Sequence, residues 1–213
     1  MKEIRILSAT GILGSGFREE TLKRAMALKP DFIGADAGST DPGPHHLGSG
    51  EPQFSDAACK RDIRLMIMAA RAAKIPVVVG SAMTAGTDAQ VDRLAGIVRD
   101  IAREEKLNFK LATIYSEQDR AYLKRRLKEG RIKPLANAPV FDEGVIDRSS
   151  HIVGMCGAEP YIEALQNGAD VVIAGRSSDT SIFAAMPVMR GPPLMTAMQS
   201  TVPPFFAAMG PSG

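Results

Sequence analysis

The most constraining feature of the chain is a regular alternation of short apolar runs with longer segments of helical period. The short runs are rich in Val, Ile and Ala, which suits buried strands. This alternation is typical of repeated strand–helix units, whose strands form a parallel sheet. The runs predicted as strands are residues 4–9, 31–35, 76–80, 109–114, 151–155 and 170–174.

Helical periodicity is clearest between Val91 and Ala102, where apolar side chains recur every three or four residues. Asp88 is the predicted N-cap of this helix, Ser55 that of residues 57–74, and Ser116 together with Asp119 that of residues 120–129. Residues 159–167 are predicted as a helix because Pro160 suits the first turn and Gly168 the position after the end. Strands and helices therefore alternate through most of the chain.

These repeats predict an α/β fold with an open, largely parallel sheet and helices on both faces, a three-layer, Rossmann-like arrangement. Six strands are too few to close an eight-stranded barrel unless the chain is a fragment of a larger one. We assign the domain to residues 1–190 and predict an irregular tail, containing Pro and Met, for residues 191–213. Residues 131–150 interrupt the rhythm, and we expect them to cover the site. Ligands of open α/β sheets bind beyond the carboxyl ends of the strands, so the loops there are the candidates for function.

Charge and composition exclude several partners. Basic and acidic residues nearly balance, 26 against 24, and aromatic residues make up only 5% of the chain, without Trp. The basic stretch at residues 124–128 lies on a predicted helix and is typical of a solvated face, so we expect no nucleic acid partner. No apolar segment approaches the ~20 residues of a membrane span, and we expect a cytoplasmic protein without membrane contact. Cys59 and Cys156 fit neither a zinc motif nor a disulfide framework.

A glycine-rich loop follows the first predicted strand. Gly14, Ser15 and Gly16 precede a helix predicted to begin near Arg18. Backbone N–H groups at such a helix start can bind a phosphate or carboxylate of a substrate. The spacing differs from the dinucleotide-binding motif, and a plain glycine-rich turn is the alternative.

The loop after the second predicted strand, residues 36–50, concentrates titratable side chains. Its candidate acid–base residues are Asp36, Asp41, His45 and His46. Three of them, Asp36, Asp41 and His45, could hold a divalent metal ion. Substrate contacts are expected from Ser39, Thr40 and Gly43. A surface loop whose polar residues make only local turns is the alternative.

Two later loops offer further reactive groups. The last predicted strand is followed by Arg176, whose guanidinium suits a carboxylate or phosphate. The expected binding set there is Arg176, Ser177, Ser178 and Asp179. The alternative is that Asp179 caps a helix while Arg176 forms a surface ion pair. Cys156 stands at a predicted helix start and could be a nucleophile, although a buried free cysteine is the commoner case.

Two stretches, residues 36–44 (DAGSTDPGP) and 168–176 (GADVVIAGR), together resemble the acyclic terpene utilisation (AtuA-like) family, formerly a domain of unknown function. The resemblance runs from about residue 4 to about residue 191. It implies a bacterial catabolic setting, in which relatives accompany the carboxylation and breakdown of branched terpenoid acyl-CoA compounds. It implies neither a particular reaction nor particular catalytic residues. Relatives are longer, which implies that this chain is a fragment or has an altered terminus.

The sequence therefore predicts a catabolic enzyme domain that acts on a small carboxylate or a branched acyl-CoA by hydrolase, hydratase or lyase chemistry. Residues of the Asp36 loop would supply acid–base or metal-binding groups, and the Arg176 loop would hold the anionic end. Expected partners are the small anionic substrate and either a second copy of the chain or a partner subunit. The alternatives are a non-catalytic module that binds a metabolite or acyl-CoA, and an inactive truncated family member.

Overall fold

The computed structural model of the protein describes residues 3–38 and 43–191. Its strands are β1 (Ile6–Ser8), β2 (Phe32–Asp36), β3 (Val77–Gly80), β4 (Leu111–Ile114) and β5 (Val171–Ala174). The helices are α1 (Glu19–Met26), α2 (His45–Ser49), α3 (Asp56–Ala73), α4 (Asp88–Glu104), α5 (Arg120–Lys128), α6 (Glu143–Arg148), α7 (Glu159–Gln166) and α8 (Asp179–Arg190). All strand pairs are parallel, in the order β1-β2-β3-β5-β4. The predicted open parallel α/β fold is confirmed.

Both faces of the sheet are buried, which explains why its central strands read as continuous apolar runs. Alternate side chains of β2, β3 and β5 belong to two separate cores. One core packs against α3 and α4 and includes Ile33, Ala35, Val77, Val79, Val171 and Ile173. The other packs against α7 and α8 and includes Phe32, Val78, Val172 and Ala174. The result is the predicted three-layer arrangement.

The order in which successive strands are added to the sheet reverses between β3 and β5, because β4 lies at the edge and β5 returns to the position beside β3. The connections from β1 through to β4 use α1, α3 and α4 on one face, whereas α7 and α8 cover the other face. Neighbouring strands β3 and β5 are therefore followed by helices on opposite faces. Such a switch point opens a crevice beyond the carboxyl ends of the two strands, where open α/β sheets bind their ligands. We therefore expect a ligand site between the loops that follow β3 and β5.

One predicted strand, residues 151–155, was wrong. Val153 makes only an isolated antiparallel bridge with Glu117, and Cys156 makes an isolated parallel bridge with Ser177. The segment runs beyond the ends of β4 and β5, so it pairs with the loops that follow those strands and not with the strands themselves. The sheet in the described part thus has five strands, not six.

The short helices α2 and α6 were not predicted; the other helices begin within a residue of the predicted starts, but not every cap was predicted. Ser55 caps α3 as expected. Thr87, not Asp88, caps α4, and its side chain and Gln90 form a reciprocal capping box. Asp119 by itself caps α5. Ser178, not Asp179, occupies the N-cap position of α8. Adjacent polar residues compete for these positions, and the local sequence does not decide between them.

Residues 131–150 form an excursion that contains α6 and packs it against α5. Of the predicted tail at residues 191–213, all but the first residue lies outside the described residues. Within the described ranges, no helix is both long enough and apolar enough to cross a membrane.

The loops after β3 and β5 approach each other so closely that a side chain would not fit between them. Gly86 has a φ of +71°, and a Cβ there would lie 2.2 Å from the backbone nitrogen of Arg176. We therefore expect Gly86→Ala to lower the free energy of unfolding by about 3 kcal/mol, from the left-handed backbone and the steric overlap together. Gly130→Ala is the matched control, since Gly130 has a φ of +69° and open space around it; it should cost only about 1 kcal/mol. Urea unfolding measures both, and equal losses would contradict the close approach.

Candidate functional site

Backbone hydrogen bonds join the ends of β3 and β5 at the switch point. The N–H of Ser81 donates to the carbonyl of Gly175 at 2.9 Å, and the N–H of Ala82 donates to the carbonyl of Ala174 at 2.9 Å. These bonds extend the pairing of β3 with β5 beyond the strands themselves. Residues that follow the two strands are thereby held at fixed positions beside one another.

Asp36 ends β2 and is only 8% exposed. Its Oδ1 accepts a hydrogen bond from the N–H of Gly38 at 3.3 Å. Burial, followed by the negative charge of Asp179, raises the pKa of Asp36 to about 6, although Gly38, Arg176 and Ser81 each act to lower it. A carboxyl group with this pKa can gain or lose a proton close to neutral pH.

Arg176 follows β5 and is also only 8% exposed. Its backbone N–H donates to the carbonyl of Gly86 at 3.2 Å, and its Nη1 donates to the carbonyl of Thr84 at 3.4 Å. The guanidinium lies close enough to Asp36 to lower the pKa of that carboxyl group. The structure thus brings together Asp36, Arg176 and Asp179, three of the predicted site residues. A surface ion pair, the alternative considered for Arg176, does not describe this buried side chain.

Ser177 has its hydroxyl in a buried network behind Arg176. Its Oγ lies 2.5 Å from the Tyr161 hydroxyl and 3.2 Å from the Cys156 thiol, and it donates to the carbonyl of Gly175 at 2.8 Å. Burial raises the pKa of Tyr161 well above its usual range, so that phenol stays protonated and donates to Ser177. The Ser177 N–H donates to Ser81 Oγ at 3.3 Å. Ser177 therefore anchors the loop from inside, while the Ser178 hydroxyl lies 3.0 Å from the Thr180 hydroxyl at the start of α8.

The loop after β3 has an unusual backbone. Ser81, Met83 and Thr84 all have positive φ, at 51°, 52° and 93°, and all three are buried. Such conformations cost free energy and persist only where surrounding contacts enforce them. Here the Gln90 side chain accepts hydrogen bonds from the N–H groups of Ala85, Gly86 and Thr87. The sequence suggested no role for this loop beyond helix capping, because strain of this kind has no local signature.

The predicted glycine-rich anion loop is bound by the protein's own carboxylate. The N–H groups of Gly14 and Gly16 both donate to Asp62 Oδ2, at 3.0 and 2.9 Å. The Asp62 side chain is 1% exposed and also pairs with Arg61. Ser15 is exposed, and its hydroxyl donates a hydrogen bond to the carbonyl of Ile12. The loop has the geometry expected of an anion site, and Asp62 occupies it.

The remaining candidates lie in the segment after β2. Ser39, Thr40 and Asp41 fall outside the described residues, so their roles stay predictions. Gly43 and His45 are exposed, and His46 places Nδ1 2.8 Å from the carbonyl oxygen of Glu51. In residues 3–38 and 43–191 no three His, Cys, Asp or Glu side chains converge as a metal site. The proposed metal set therefore depends on Asp41.

Sequence reasoning missed the third histidine. His151 Nδ1 lies 2.5 Å from Glu117 Oε1, beyond the end of β4. Residue 151 was assigned to a strand, and the 34 residues that separate the pair carry no motif that would join them.

The fold and these residues define an α/β domain whose switch point carries a buried carboxyl group beside a buried guanidinium. Residues 4–190 match the model of the Acyclic terpene utilisation family protein AtuA. The chain belongs to this family, as its sequence suggested. No curated protein and no solved structure matches it.

The raised pKa of Asp36 makes the stability of the protein depend on pH. Because the folded pKa of about 6 exceeds the ordinary value of 3.8, ionisation of Asp36 disfavours the folded state. Its contribution to stability is full below about pH 4 and is lost as the pH rises through about 6. Relative to Asp36→Asn, the wild type should lose about 2 kcal/mol of unfolding free energy between pH 4 and pH 7. Urea unfolding of both proteins across this pH range measures the difference. If the unfolding free energies of the two proteins changed with pH in parallel, the raised pKa of Asp36 would be contradicted.

Asp62 should be essential to the glycine-rich loop. Replacing Asp62 with Ala removes the acceptor of two backbone N–H groups and leaves them short of partners. We expect a loss of about 2 kcal/mol or more in unfolding free energy. Asp56→Ala, on the same helix but in an exposed pair with Arg93, should cost less than about 1 kcal/mol. A loss no larger for Asp62 than for Asp56 would show that water replaces the carboxylate.

Proposed function

We propose that this chain is an enzyme domain of terpene catabolism that acts on a small carboxylate or a branched acyl-CoA thioester, by hydrolytic, hydration or lyase chemistry. Family membership supports a role related to terpene utilisation. The observation that carries the finer proposal is the buried pair of Asp36 and Arg176 at the switch point.

Arg176 supplies the anion-binding group. A guanidinium has five N–H donors arranged to match two oxygens of a carboxylate or phosphate. Among the described residues one of these donors is used, on the carbonyl of Thr84. In a largely buried position the remaining donors gain more from an anionic ligand than they would in water. The carboxylate of a short acid, or a phosphate of coenzyme A, fits this requirement.

Asp36 supplies the titratable group. Near neutral pH it can act as a general base when ionised and as a general acid when protonated, and such a group contributes 10²–10⁴-fold to a rate, in order of magnitude. The positive charge of Arg176 favours the ionised form of Asp36. An anion that binds Arg176 offsets this charge and favours protonated Asp36. Binding and proton uptake should therefore be coupled.

This coupling makes the affinity for a carboxylate depend on pH. With 3-methylbutanoate as the probe, we expect the dissociation constant to rise about tenfold between pH 5.5 and pH 8, because the ionised carboxylate of Asp36 repels the ligand. Asp36→Asn should remove this dependence, and Arg176→Met should weaken binding by roughly tenfold or more at either pH. Isothermal titration calorimetry measures all three proteins.

Arg93→Met is the control, since Arg93 forms an exposed ion pair with Asp56 away from the site and should leave the affinity unchanged. Equal affinity in the Arg176 and Arg93 variants would contradict the assigned anion site. Mass spectrometry of the mixture with 3-methylcrotonyl-CoA then separates an enzyme from a binding module, because only an enzyme yields a product.

A further inference from the structure

His151 and Glu117 form a histidine–carboxylate pair that the function proposed above does not use. The Nδ1–Oε1 distance is 2.5 Å, and the two side chains are 27% and 28% exposed. Both are therefore partly buried, yet a face of the pair reaches solvent. A short contact of this kind fixes the orientation of an imidazole ring.

Contacts on both sides hold Glu117 in place. Its Oε2 accepts a hydrogen bond from the N–H of Asp88 at 3.2 Å, and its own N–H donates to Asp88 Oδ1 at 3.1 Å. Asp88 is the first residue of α4, and residue 117 also forms the antiparallel bridge with Val153. The carboxylate is thus attached to the start of a long helix and to the strand-like segment that carries His151.

The geometry selects one tautomer of His151. An ionised carboxylate only accepts hydrogen bonds, so the proton of the neutral ring lies on Nδ1 and Nε2 is left as an acceptor. Nε2 faces Gly50, where a Cβ, if there were one, would lie 3.8 Å away. A side chain at residue 50 would contact Nε2, and Gly50 has none. The Gln90 side chain donates to the carbonyl of Gly50 at 3.1 Å and holds that residue in position.

The pair lies on the same edge of the sheet as Arg176. Ser116, which precedes Glu117, donates through its hydroxyl to the carbonyl of Arg176 at 3.2 Å. On the other side of Arg176, its N–H bonds Gly86, two residues before Asp88. Arg176 is therefore bracketed by the two segments that position Glu117. Strands β5 and β4 are adjacent, so their loops border one crevice.

We propose that His151 is a proton-accepting catalytic residue of this site, with Glu117 as its positioning residue, and that the pair activates water; this rests on the proposed function. In the step, Nε2 takes a proton from water while the water oxygen bonds to the electrophilic carbon of an acyl-CoA substrate. Glu117 stabilises the imidazolium. The proton then passes to the departing thiolate as the C–S bond of a thioester breaks, or to the α-carbon when water adds to a C=C bond.

The test is turnover of 3-methylcrotonyl-CoA by the full chain, with the acid, free coenzyme A and the hydrated thioester detected by mass spectrometry. His151→Asn keeps a donor for Glu117 at the position of Nδ1 but has no acceptor at that of Nε2, so it should lower turnover at least 100-fold while probe binding is unchanged. Glu117→Gln should lower turnover about tenfold or more, and nitrogen-15 NMR should show that His151 no longer populates only the Nδ1–H tautomer.

Arg93→Met is again the control, since Arg93 forms an exposed ion pair with Asp56 away from the His151–Glu117 pair; it should retain wild-type turnover. Wild-type rates in His151→Asn would overturn the proposal, and so would binding of the probe by the wild type without any product. That second result would leave the anion site of the proposed function intact. Failure of every probe to bind would contradict the proposed function itself, and the role of the pair would fall with it.

Discussion

The close contact between the loops after β3 and β5 is the constraint on which the rest of the structure depends. Gly86 reaches the backbone of Arg176, and Gly38 packs equally closely against the Thr84 carbonyl, where a Cβ would lie 2.1 Å away. A side chain at Gly38 or Gly86 would overlap the neighbouring backbone, so the three loops beyond β2, β3 and β5 pack directly against one another. This close packing buries Asp36 and Arg176, and burial in turn raises the pKa of Asp36.

Most of the fold could be predicted from the sequence because its determinants are local. Short continuous apolar runs identified all five strands of the described residues, and segments of helical period and their caps identified the long helices α3 and α4. The sixth predicted strand failed for a reason outside its own sequence. Residues 151–155 are apolar enough for a strand, but they lie beyond the ends of β4 and β5 and contact only the loops that follow those strands.

The site was predictable only where a residue's role follows from its place at the end of a strand. Asp36 is the last residue of β2, and Arg176 comes two residues after the end of β5. The topology brings these two positions together. Side-chain partners far apart in the chain could not be predicted. Asp62 reaches the N–H of Gly14 across 48 residues, and Glu117 reaches His151 across 34. A glycine-rich loop looks the same in sequence whether its donors bind a ligand or an internal carboxylate.

Asp62, on α3, and Asp36, at the end of β2, show how the same type of side chain has different roles in one fold. Both are buried, but Asp62 accepts two backbone N–H groups and pairs with Arg61. Asp36 has one backbone donor and faces the negative charge of Asp179. A carboxylate whose hydrogen bonds are completed within the fold stabilises it, whereas one left partly compensated costs stability once ionised. The protein tolerates that cost at the switch point, where an incoming anion and its proton would relieve it. The asymmetry between the two aspartates is therefore the physical reason to place chemistry at Asp36 and structure at Asp62.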